Sequence, residues 1–77
     1  MLIEDLEPGQ RAPDDSDRII LSELPSGKFQ FSGVAQQGSV TAHFLDHQTF
    51  DTLGEARGAG IAWAQERHVA SLVVEYS

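Results

Sequence analysis

The stretch Phe50–Val74, FDTLGEARGAGIAWAQERHVASLVV, reads as one helix followed by one buried strand. Thr52-Leu53-Gly54-Glu55 has the form of a capping box: the Thr52 hydroxyl accepts from the amide three residues on, and Glu55 reaches back to the amide of Thr52. Glu55 sets negative charge at the positive end of the helix dipole, and Arg67 sets positive charge in the last turn. At about 100° per residue, Leu53, Ala56, Gly60, Trp63 and Ala64 share one face. Ala56, Gly60 and Ala64 make a ridge with almost no side-chain bulk, so the helix axis is expected close to a sheet, with Leu53 and Trp63 covering its flanks. Gly54, Gly58 and Gly60 each cost roughly 1 kcal/mol against Ala inside a helix, so packing has to hold this one. After His68 the run Val69-Ala70-Ser71-Leu72-Val73-Val74 is too short and too β-branched for a second helix.

Working backwards, Ser39–Leu45 alternates, with Val40, Ala42 and Phe44 on one face and Thr41, His43 and Leu45 on the other. The turn Gln36-Gln37-Gly38 precedes it. Phe29, Phe31 and Gly33 alternate with Lys28, Gln30 and Ser32 in a half-buried strand with its aromatics inward. Pro25-Ser26-Gly27 supplies the turn before that. Ile19–Leu24 reads as the first strand, with two faces so evenly apolar that the pattern does not choose between them. The expected fold is α+β in the order βββαβ. A three-stranded antiparallel meander carries one helix on one face, and the C-terminal strand returns parallel to the first and beside it.

Residues 1–18 differ from the rest. MLIEDLEPGQRAPDDSDR holds Glu4, Asp5, Glu7, Asp14, Asp15 and Asp17, half of the 12 acidic residues. Its composition is that of a solvated, flexible acidic arm ahead of a single domain over 19–77. The other reading takes Leu2, Ile3 and Leu6 as a short apolar anchor that adds an edge strand or half-turn.

From Thr49 to Val74 the chain resembles the C-terminal half of a family of small, uncharacterised bacterial domains with an F-x-T-x-x-E-A helix start, an alanine-rich helix and a short L-x-V strand. The matching residues are Phe50, Thr52, Glu55, Ala56, Ala64, Leu72 and Val74. The resemblance implies the fold and brings no activity or site with it.

A chain of 77 residues without cysteine is near the lower size limit for an unstapled core, which makes a homodimer a natural expectation. The net charge of −7, with Arg11, Arg18, Lys28, Arg57 and Arg67 scattered, argues against nucleic acid as a partner. No apolar run reaches membrane-spanning length, and the N-terminus lacks a signal-peptide pattern, so the cytoplasm is the expected location.

Candidates for chemistry are few. His43, Asp46, His47 and Asp51 are metal-capable, but His43 belongs to a strand and His47 to the loop after it, so no metal site is expected. Asp14-Asp15-Ser16-Asp17 lacks the Gly and distal Glu of a calcium loop. The helix glycines lack the strand-to-helix position and the Lys of a phosphate loop. His68 suits the helix C-terminus, and Trp63 the edge of the core. No catalytic residue and no cofactor follow, and the expectation is a non-enzymatic binding module. Its surface is the uncovered sheet face, with Gln30, Ser32, Thr41, His43, Leu45, Ser71 and Val73. Such a face can simply meet water, but exposed Leu and Val beside free strand edges also suit a second copy or another protein. The acidity leaves one alternative, an acidic inhibitor or nucleic-acid mimic that fills a basic groove.

Overall fold

The computed structural model describes residues 1–77 apart from the side chain of Gln37. Its elements are β1 (Leu2–Asp5), β2 (Arg18–Glu23), β3 (Phe29–Gln37), β4 (Val40–Leu45), α1 (Leu53–Glu66) and β5 (Ser71–Tyr76). The strands form one sheet in the order β1-β5-β2-β3-β4. The expected α+β class holds. β2, β3 and β4 are the antiparallel meander, and β5 returns parallel to β2 at its free side.

The N-terminal segment corrects the picture of a free arm. Leu2–Asp5 pairs in parallel with β5, from Leu2 opposite Ser71 to Asp5 opposite Val74. The amides of Leu2 and Leu6 extend the ladder to the carbonyls of Ala70 and Val74, both at 2.9 Å. Further along, Ala12 is buried. Composition could not show this, because two of the acids that make the segment look solvated, Asp5 and Asp17, have partners far away in sequence.

Local chemistry explains the turns. Gly27, at φ +84°, closes the β2–β3 hairpin. The β3–β4 hairpin turns at Gly38-Ser39, later than the expected Gln36-Gln37-Gly38, so β3 runs on to Gln37. Gly38 has φ +64° in the first position of this two-residue loop, which is the glycine position of a type II′ turn.

The helix lies on the face made by Ile19 and Leu21 of β2, Phe31, Gly33 and Ala35 of β3, and Leu72 and Val74 of β5. This settles the phase of the first strand, with Ile20 turned away. Ala56, Gly60 and Ala64 are fully buried against the sheet, as the ridge implied. Two flanking assignments change. Leu53 stands 37% exposed at the first helical turn, and Val40 is 63% exposed because it lies at the far end of β4, beyond the helix.

Trp63 rather than Leu53 is the flank that matters. Its ring stacks on Phe44 at 5.6 Å and lies over Gly33, where a Cβ would meet ring atoms at 2.4–2.8 Å. A Cβ on Gly60 would also come close, at 2.6 Å, but to Ile19 Cδ1, the end of a flexible side chain.

Both helix ends are built locally. Glu55 N donates to Thr52 Oγ1 at 3.1 Å. The Glu55 carboxylate accepts from the same hydroxyl at 3.0 Å, rather than reaching the Thr52 amide. At the other end Arg67 is the C-cap, with its guanidinium over the Trp63 ring at 5.2 Å. His68 N donates to Gln65 O at 3.1 Å and Val69 N to Ala64 O at 3.2 Å, the paired bonds of a Schellman motif. The role of His68 is therefore conformational: it holds φ +58°, a left-handed position that usually goes to glycine.

Three stability outcomes follow from these contacts. His68→Gly should raise stability by about 0.5–1 kcal/mol, because it removes left-handed strain. Gly33→Ala should lose about 1–3 kcal/mol, because a rigid indole blocks the added carbon. Gly60→Ala should lose less, since Ile19 can turn and helix propensity returns about 1 kcal/mol. Urea titrations of the three variants give this ranking directly.

Candidate interaction surface

The face away from the helix is arranged in cross-strand rows. One row runs Val73, Arg18, Val34, His43 across β5, β2, β3 and β4, and the next runs Glu75, Ile20, Ser32, Leu45. Between β2 and β4 they enclose an open groove of about 430 Å³, whose lining includes Arg18, Ile20, Ser32, Val34, His43 and Leu45. Val34 is its buried floor, and Leu45 on its rim is 52% exposed.

The structure brings most of the expected surface residues to this end of the sheet. Ser32, His43 and Leu45 line the groove. Gln30 and Thr41 lie beyond it on the same face. Gln30 Nε2 donates to Asp46 O at 2.7 Å, and Thr41 Oγ1 donates to Gln36 Oε1 at 2.9 Å. Val73 is half-buried and separated from the groove by β2, and Ser71 is at the start of β5.

Arg18, Ile20 and Val34 were missing from the expected set. The pairing of Ile19 with Gly33 fixes the first two, since it turns Ile19 to the helix and Arg18 and Ile20 away, and Val34 shares the face of Ser32 by alternation along β3. A sequence in which both faces of β2 are apolar hides that choice.

The β5 side of this face is not bare. Ala12 N donates to the Glu75 carboxylate at 2.8 Å. The Arg18 guanidinium donates to the carbonyl oxygens of Asp14 and Ser16 at 3.3 and 3.2 Å. The loop after β1 thus reaches the β5 and β2 part of the sheet, touches β3 at Gln36, and leaves β4 and the groove beside it uncovered.

The other candidates do not assemble into a site. Asp46 accepts from the Gln48 amide at 3.0 Å, and Asp51 pairs with Lys28. Among the described residues, no group of three or more His, Asp or Glu side chains could hold a metal ion. The buried Trp63 Nε1 has no hydrogen-bond partner among them. No helix is long and apolar enough to cross a membrane. Comparison with protein-family models, with curated proteins and with solved structures finds no match.

A polar clip holds the opposite edge. The Arg57 guanidinium grips Asp5 with two bonds, at 3.0 and 2.7 Å, and the Tyr76 hydroxyl donates to the same carboxylate at 2.6 Å. The bonds from Arg57, then from Tyr76, hold the Asp5 carboxyl below its ordinary range. Burial, then the bond to Asp5, pushes the Tyr76 phenol up.

Since the folded Asp5 value is depressed, its stabilisation is full above the unfolded value and is lost as pH falls through the folded one. The Tyr76 shift has the opposite sign, so its contribution is lost as pH rises through the folded value. Asp5→Asn should lower stability by at most about 1 kcal/mol near neutrality, because the pair is partly exposed. The gap between wild type and variant, read from urea midpoints, should close below about pH 4.

Proposed function

We propose that this protein is a non-enzymatic binding module that self-associates through the uncovered β3–β4 end of its sheet. The observation that carries this reading is where apolar surface remains exposed. Leu45, 52% exposed, stands on the rim of the groove, and Val40, 63% exposed, lies at the far end of β4 on the helix side, while the loop after β1 occupies the other part of the groove's face. In a chain of 77 residues, covering that end buries more apolar area; Leu2 and Ile3 are also exposed, but on an edge strand that carries Glu4 and Asp5.

The acidic-mimic alternative has less support. A mimic needs free carboxylates along a rigid face. Here Asp5 and Asp51 sit in ion pairs, and Asp17, Asp46 and Glu75 accept from backbone amides. The groove itself is flanked by Arg18 and His43.

Sedimentation across the micromolar to millimolar range should show a reversible dimer. Leu45→Lys should weaken it by at least about tenfold. Its thermal stability should stay within about 0.5 kcal/mol of wild type, as for an exposed substitution. A chain that stays monomeric at millimolar concentration would overturn the proposal.

A further inference from the structure

β4 ends the sheet on one side, and its outer edge has a definite hydrogen-bonding phase. Asp46 N donates to Phe31 O at 3.3 Å, and Phe29 and Phe50 exchange both backbone bonds at 2.8 Å. These bonds turn the backbone groups of Phe29 and Phe31 towards the β4 side of β3. With the β3–β4 register, alternation makes Gly33–Phe44 and Ala35–Ala42 the bonded pairs. Gln36 fits the same phase, because its N–H points the other way, to Asp17 Oδ1 at 2.6 Å. The N–H and C=O groups of Thr41, His43 and Leu45 therefore point out of the sheet.

We propose that this edge pairs antiparallel with the same edge of a second copy, about a two-fold axis at His43. The inference rests on the self-association proposed above and gives it a geometry. Thr41 of each copy lies opposite Leu45 of the other, and His43 lies opposite His43. This register uses every outward backbone group of the three residues, about six hydrogen bonds in all. A shift that sets Thr41 opposite His43 strands Leu45 and leaves about four.

Three further features fit a second copy as the occupant. The strand VTAHFL contains no Asp, Glu, Lys or Arg, so two molecules of charge −7 meet here without opposed acids. The opposite edge, LIED, carries Glu4 and Asp5. Edges kept apart from other strands usually have Lys, Pro or a bulge, and β4 pairs with β3 without a break and has neither residue. On the helix side, Ala42 of one copy faces Phe44 of the other, small against large. The joined sheet then carries one open face across both molecules, with Leu45 of one groove beside Thr41 of the next copy.

The test uses the full chain and two variants. His43→Pro removes an N–H that the monomer leaves to solvent, so the fold should survive it while the ladder breaks. His43→Lys keeps the backbone and sets like charges directly opposite across the axis. Each should weaken dimerisation in sedimentation equilibrium by at least about tenfold, with circular dichroism unchanged. If His43→Pro fails to fold, His43→Lys decides, since the side chain is exposed. Folded variants that dimerise like wild type would overturn edge pairing and leave association through the face. A monomeric wild type would overturn both.

Discussion

The close approach of α1 to the sheet is the constraint on which the rest depends. Ala56, Gly60 and Ala64 are fully buried, and Gly33 lies under the Trp63 ring. Both surfaces give up side-chain bulk at the contact, so the backbones come together and the larger residues close around them. Phe31, Phe44 and Trp63 form a connected aromatic run, with ring centroids 5.8 and 5.6 Å apart. A helix with Gly54, Gly58 and Gly60 has little stability of its own, and here it is held by that contact and by the bonds at its two ends.

A single helix cannot cover five strands on both faces. It takes one face of the central strands, and the outer parts of the sheet are finished by other means. At the β1 edge the means are polar: Arg57 and Tyr76 converge on Asp5 and tie strand to helix. On the reverse face the loop after β1 reaches Glu75 and Arg18. The β4 end receives neither treatment, so exposed apolar side chains, Val40 and Leu45, and a free backbone edge occur together there.

Much of this was legible in the sequence, because it is local. The capping threonine, the small-residue ridge, the alternation of Phe29 and Phe31 and the parallel return of the last strand all rest on short-range periodicity. What was hidden depends on distant pairs. Asp5 looks like part of an acidic tail until Arg57, 52 positions away, is seen beside it. Ile19 and Ile20 are indistinguishable until the register with β3 selects one. His68 shows a helix end in the sequence, but its left-handed backbone does not, because the Schellman position usually carries glycine and a histidine there gives no signal of it. The candidate surface was only partly legible because it too depends on distant pairs. Alternation gave Ser32, His43 and Leu45 and carries Val34 along with Ser32, while Arg18 and Ile20 required the register of β2 with β3.

The distribution of charge gives the uncovered edge its meaning. In a molecule of net charge −7, any contact between copies is opposed over much of the surface. Half of the 12 acids are placed where they serve the fold: Glu55 at the helix start, Asp17, Asp46 and Glu75 on backbone amides, and Asp5 and Asp51 opposite Arg57 and Lys28. β4 is left without charge, with outward backbone groups on Thr41, His43 and Leu45. A strand equally free of acidic residues adds no like-charge repulsion when the sheet grows from this end. Another copy of β4 meets this condition and matches the backbone phase at Thr41, His43 and Leu45, which is the ground for the proposed edge pairing.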